Sequence, residues 1–219
     1  MPETLHLRPH ANVAERVLLP GDPGRALRLA QQLLDTPKML NHNRGLWGYT
    51  GVAADGAPMT IQSTGLGGPS CAIVVEELIA LGARRFVRVG TCTAPEGGPT
   101  LGELVIADAA LPADGTSRAL GAAGPLPADP ELLAALRAGR RSGLVVTTDL
   151  FHDPRPANRW DAIAIDLTTA ALFAVAGRHG AAAASALIVA YRAGEHLSAE
   201  ALERAEVELG RAGAAALGA

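Results

Sequence analysis

The sequence predicts one three-layer α/β/α domain, spanning residues 1–219, around a mixed central β-sheet. Three observations carry that reading. Short apolar runs alternate along the chain with stretches whose apolar residues recur at helical spacing, as expected of strands and helices packed in layers. The 219 residues suffice for one domain with a full core, and no linker or internal repeat divides them. Hydrophobic residues make up 48% of the chain and charged residues 19%, a globular rather than a disordered balance.

The elements follow in order. Residues 16–19 read as a buried strand. Asp22 then caps a helix with Pro23 at its first position, and Ala26, Leu29, Ala30 and Leu33 form its apolar face. Residues 48–53 and 59–64 flank Ala-Asp-Gly-Ala, a hairpin signal. Ser70 opens a helix through about residue 81, closed by Gly82. Strands are expected at 86–91 and 104–107, a loop rich in Gly, Pro and Ala at 111–130, and a strand at 143–147. A helix over 167–178 and a last strand over 187–191 precede the C-terminal helix from Ser198. That helix carries Leu202, Ala205, Leu209, Ala212 and Ala216 at three- and four-residue spacing.

Composition narrows the function. A net charge of −3 and a pI near 6.1 leave no basic footprint for nucleic acid. Cys71 and Cys92 are too few for a disulfide scaffold or a cysteine-based zinc site, and read as free thiols of a reducing compartment. No metal-ligand pattern is seen. The first ten residues carry charges where a signal peptide needs an apolar run. The most apolar tract, 170–189, is broken by Arg178-His179-Gly180, so no membrane span is expected and the chain reads as cytoplasmic.

Chemistry gathers in three segments. Gly21-Asp22-Pro23-Gly24-Arg25 runs from a strand into a helix, where backbone N–H groups and an Arg fork suit a small anion; alone it reads first as a capped turn. No P-loop is present, and residues 65–70 (GLGGPS) miss the dinucleotide fingerprint. Residues 43–51 (NRGLWGYTG) add Arg44. Residues 87–94 (VRVGTCTA) put Arg88 inside an apolar strand, which is expensive unless the arginine pairs with an anion or carboxylate.

Taken together, LLPGDPGRA, RGLWGYTG, GLGGPS, EEL at 76–78, RVGTCTA and TTDLF at 147–151 resemble, in order and spacing, the purine/uridine nucleoside phosphorylase family. The resemblance runs from His6 to Arg192 and implies that family's fold. It also implies phosphorolysis of a nucleoside to free base and ribose 1-phosphate, with inorganic phosphate as co-substrate and no cofactor. Gly21, Arg25, Arg44, Arg88 and Thr91 match the phosphate cradle. Arg44 and His6 match residues that reach into a neighbour's site, which implies a homodimer or homohexamer. Phe151 matches the aromatic on the base. Leu66, Cys92, Thr93, Ile165, Asp166, Leu167 and Thr168 match the remaining nucleoside-binding positions. Leu66 and Leu167 keep an apolar wall where relatives usually carry Met.

The chain departs from the family where chemistry is done. The family has Glu-Met-Glu where this chain has Asp166-Leu167-Thr168, and a hydroxyl at 168 cannot clamp two ribose oxygens as a carboxylate does. Where the family has Asp or Asn before Arg, this chain has Tyr191-Arg192, and a phenol is a weaker proton donor than a protonated carboxyl. Between Arg137 and Ile165 the chain is also shorter, with HDPRPANRWD in place of a longer flanking loop and helix. Three functions are therefore weighed: a slow or unusual phosphorylase, purine slightly favoured over uridine; a non-catalytic relative retaining the phosphate site; and a hydrolase using water. The retained arginines speak against the last.

Overall fold

The computed structural model describes residues 4–153, 155 and 157–219. Strand β1 (Arg16–Pro20) is buried throughout and turns at Gly21 into helix α1 (Pro23–Leu33). Asp22 caps that helix, accepting from the Arg25 N–H at 2.7 Å. β2 (Leu34–Asn41), β3 (Gly48–Ala53) and β4 (Pro58–Gln62) form an antiparallel run, and α2 (Gly67–Ala80) follows. Next come β5 (Arg85–Ala94), β6 (Leu104–Pro112), α3 (Gly115–Ala119), β7 (Leu126–Pro127) and α4 (Pro130–Arg137). The chain continues through β8 (Arg141–Thr147), β9 (Ala164–Asp166) and α5 (Thr169–Arg178). It ends with β10 (Ala182–Arg192), β11 (Glu195–His196) and α6 (Ala199–Leu217).

Several boundaries differ from the sequence reading, each for a physical reason. Residues 111–130 are not a plain loop: β6 runs on to Pro112, and α3 and β7 follow. Asp129 and Pro130 repeat the Asp-Pro cap used at residues 22–23, and they start α4. β2 escaped notice because Pro37 and a bulge at Asp35/Lys38 break its alternation, which an edge strand tolerates. β10 begins at Ala182 rather than at Leu187; its alanines favour helix in isolation, but pairing with β5 on one side and β6 on the other overrides that preference. α2 opens at Gly67 instead of Ser70, and α5 at Thr169 instead of Leu167.

Among the described residues the strands form one 11-stranded mixed sheet. β5 lies parallel to β1 and β10, and the pairing β10–β6–β8–β9–β5 returns to β10, so this half of the sheet closes into a barrel. α1, α4 and α6 pack together on one side, and α2, α3 and α5 on the other, giving the three layers. Phe86, Leu18 and Ile106 are among the largest fully buried side chains between them. No described helix is long and apolar enough to cross a membrane.

Glu77 of α2 straps the N-terminal segment down. Its carboxylate accepts from the N–H groups of Leu5, His6 and Leu7 and lies 2.7 Å from His6 Nδ1. Burial by itself would raise this carboxyl, but the Leu7 N–H, the His6 ring and the other N–H groups outweigh it and hold it below its ordinary value of 4.5. A depressed folded-state pKa stabilises above the unfolded value, and that stabilisation is lost as pH falls through the folded one. The amides of Leu5, His6 and Leu7 are therefore expected to lose hydrogen-exchange protection below pH 4.5, ahead of the core amides. Equal protection of both sets throughout acidification would contradict this.

Candidate active site

A cavity of about 620 Å³ opens where the end of β1, the second half of β5, the ends of β8 and β9 and the end of β10 converge. Two buried arginines, Arg88 and Arg25, line it. Arg88 lies across Gly90 on β5: a Cβ at residue 90 would stand 2.7 Å from the Arg88 Cζ and Nη2 atoms, so glycine is what lets the guanidinium lie flat. From there the group spans two elements. Its Nε donates to Asp166 Oδ2 at 3.2 Å, and its Nη1 is 4.0 Å from where a Cβ of Gly21 would be. Gly21 is itself tied to the start of the α2 loop, its carbonyl accepting from the Gly65 N–H at 3.0 Å.

Asp166 is saturated. Besides Arg88 it accepts from Thr147 Oγ1 at 2.7 Å, from Thr169 Oγ1 at 2.7 Å and from the Thr169 N–H, all buried. Thr169 Oγ1 also lies 3.0 Å from Ser185 Oγ. With its lone pairs committed, Asp166 positions Arg88 and has little left for a sugar hydroxyl. Arg25 is held in the same manner from the opposite side. Its Nη2 meets Glu206 Oε1 at 2.6 Å, and its Nη1 donates to the Val89 carbonyl at 3.3 Å.

After these pairings two buried guanidinium N–H groups, Arg25 Nε and Arg88 Nη1, have no acceptor among the described residues. Both residues line the cavity. An unmet buried donor costs about 1–3 kcal/mol, and two of them beside a helix N-terminus suit a tetrahedral oxyanion. Gly90→Ala tests the arrangement. The added methyl displaces only the flexible end of Arg88, so the fold is expected to persist while affinity for inorganic phosphate falls about tenfold or more, as when one charge-assisted hydrogen bond is lost. Wild-type phosphate binding by a folded Gly90→Ala protein would count against it.

The profile of the phosphorylase superfamily matches residues 15–218. A purine nucleoside phosphorylase DeoD-type from Oceanobacillus iheyensis is 34% identical over 206 residues, covering 86% of this chain and 87% of its own. The chain belongs to the phosphorylase superfamily. A guanosine phosphorylase from Halorubrum lacusprofundi is also 34% identical, over 183 residues, covering 77% of this chain and 75% of its own. The crystal structure of uridine phosphorylase from Vibrio fischeri superposes with a TM-score of 0.83 at 29% identity, over 94% of this chain and 92% of that one.

Within this phosphorylase-superfamily chain the other expected site residues fall into two groups. Thr91, Cys92, Thr93, Ile165, Leu167, Thr168 and Leu66 line the cavity with the residues above. Cys92 does so as an apolar wall: burial pushes its thiol above the ordinary range, and Sγ donates to the Ile188 carbonyl. Cys71 is likewise pushed up by burial, to about 12, so neither thiol is a ready nucleophile. Thr168 is buried at the start of α5, whereas Leu66 is 87% exposed at the cavity mouth. At the far end Phe151 meets Tyr191 edge to face at 4.9 Å and His152 edge to face at 4.8 Å.

Three expected residues do not line this cavity. Arg192 sits at the end of β10, paired with Glu195 across the turn to β11. His6 is engaged by Glu77. Arg44 is exposed at φ +58°, with no hydrogen bond or ion pair among the described residues. Of the shortened segment 152–161, residues 154 and 156 lie outside the described ones. Glu206 and His152 were not anticipated. For the first, Leu202, Leu209 and Gly210 around Glu206 at three- and four-residue spacing were a partial signal, blurred by Glu203 on the same face; adjacency to Phe151 was the signal for the second. No group of three or more His, Cys, Asp or Glu placed to hold a metal is found among the described residues.

Proposed function

We propose that this chain is a nucleoside phosphorylase that moves a pentosyl group from a base to inorganic phosphate, purine nucleosides being favoured over uridine. The observation that carries the reading is the pair of unmet buried donors, Arg25 Nε and Arg88 Nη1, on two arginines that line the same cavity as the Phe151–Tyr191 aromatic pair. The anion end and the aromatic end suit the two ends of the reaction. A phosphate oxygen held by the arginines attacks the anomeric carbon as the bond to the base nitrogen breaks, and that bond's electron pair leaves with the base. Charge builds up on the sugar, close to the held anion, through an oxocarbenium-like transition state, which orientation and electrostatics stabilise.

The missing groups set the rate. Thr168 offers one hydroxyl to a ribose that relatives clamp with a carboxylate, and Tyr191 stands where they carry a proton donor. A lost general acid costs about 10²–10⁴ in rate, so turnover is slow, or needs a nucleoside whose base leaves without help. The same two observations favour a second reading, a phosphate-binding relative without turnover. Arg44, exposed and unengaged, and His6 suit a contribution to a neighbouring copy's cavity in a homodimer or larger assembly. The substrates implied are small molecules of the cytoplasm, with phosphate as co-substrate and no cofactor.

The test is base release from a panel of purine and pyrimidine ribo- and deoxyribonucleosides, by chromatography, with and without phosphate. Phosphate-dependent release supports the phosphorylase. Thermal stabilisation by phosphate with no release selects the non-catalytic relative. Release that ignores phosphate makes the chain a hydrolase.

A further inference from the structure

Arg25 is aimed by a carboxylate from the C-terminal helix. Glu206 lies within α6, and its side chain is 4% exposed. One carboxylate oxygen meets Arg25 Nη2 at 2.6 Å and the other meets Arg28 Nη2 at 2.5 Å. A carboxylate is kept in such a place only when it is fully paired, and removing one partner of a buried pair is costly.

The helix that carries it is seated with little freedom. Glu206, Gly210 and Gly213 fall on one face of α6. A Cβ on Gly210 would stand 2.3 Å from Leu29 Cδ2 of α1, and one on Gly213 would stand 2.6 Å from Leu18 Cδ1 of β1. The two glycines bring the helix axis close to α1 and the sheet, and Glu206, one turn earlier, thereby reaches Arg25. With Nη2 on Glu206 and Nη1 on the Val89 carbonyl, the guanidinium is held at two corners, and the nitrogen left with no partner is Nε.

We propose that Glu206 is the positioning residue of the phosphate site, holding the Arg25 guanidinium so that its Nε edge meets the anion. The proposal rests on the phosphorolysis reading. Glu206 acts through Arg25 and touches no substrate. Its two oxygens divide the work: one orients Arg25, and the other is occupied by Arg28, which keeps the carboxylate from swinging toward the cavity and competing with the anion.

The experiment compares wild type, Glu206→Gln and Glu206→Asp by titration with inorganic phosphate, read as a thermal shift, and by the KM values for phosphate and for nucleoside. Glu206→Asp keeps the charge and so protects the fold, but it draws the carboxylate back by one methylene. Both variants are expected to weaken phosphate binding by about tenfold or more, the size common when a group that orients a ligand-binding side chain is lost, with the nucleoside KM nearly unchanged. Asp55→Asn serves as the control, because it breaks the Arg16–Asp55 ion pair, whose residues are not in the cavity lining, and is expected to leave phosphate affinity alone. Wild-type affinity in Glu206→Asp and Glu206→Gln overturns the proposal, as does an equal loss in Asp55→Asn. A wild-type protein that binds no phosphate overturns the phosphorolysis reading first, and the proposal with it.

Discussion

Arg88→Met is expected to lower phosphate-dependent base release by about 10²–10³-fold, the cost of removing one preorganised donor from developing charge. The methionine keeps most of the aliphatic stem and removes the guanidinium that lies across Gly90. It also strands Asp166, although Thr147 and Thr169 still donate to that carboxylate. Breaking a buried pair costs about 3–5 kcal/mol when nothing else supports the remaining charge, and the threonine donors bring the expectation to the lower end. Kinetics should therefore be read at a temperature where circular dichroism shows a folded variant. Arg88→Met combined with Asp166→Asn separates the two roles, since it is expected to regain stability without regaining activity. Phosphate-dependent turnover close to wild type in Arg88→Met would remove Arg88 from the anion site.

Tyr191→Asp is expected to act in the opposite direction, raising kcat/KM for purine nucleosides by about 10²-fold or more, as a regained general acid does. The residue lines the cavity and is 40% exposed, so a carboxyl there meets water and base rather than the core. The change gives up the edge-to-face contact with Phe151 at 4.9 Å, worth about 1 kcal/mol, which the fold can bear. Steady-state rates on inosine-type and uridine-type substrates decide it. No gain on either would mean that the other end of the cavity, where Thr168 offers only a hydroxyl, limits the rate instead.

Much of this architecture was legible because its signals are local. Asp22-Pro23 announces the cap and first turn of α1 within one helical turn of chain, and Ala26, Leu29 and Ala30 show its buried face. The hairpin at 48–62 and the helix closed by Gly82 are read in the same way. Asp129-Pro130 carried the same cap signal as Asp22-Pro23, and α4 could have been read from it. β9 could not: Ala164, Ile165 and Asp166 are too few to show a period, and they are a strand only because β8 and β5 lie on either side. The same applies to β10, whose alanine run carries no strand preference of its own.

By itself the sequence determined the strand–turn–helix of the anion loop, the arginines beside it, and the residue types at 168 and 191. Those are matters of residue type and near-neighbour spacing, which the chain states directly. Only the tertiary structure decided what each arginine is tied to. Arg88 meets Asp166 from 78 residues away, and Arg25 shares with Arg28 a glutamate that stands 178 residues beyond Arg28. Which carboxylate meets which guanidinium depends on strand register, on the closure of β5 onto β9 and on the glycine-lined approach of α6, and none of these leaves a periodic trace in the chain. Charge pairing in the core follows from where backbones are brought together, and that is settled by packing.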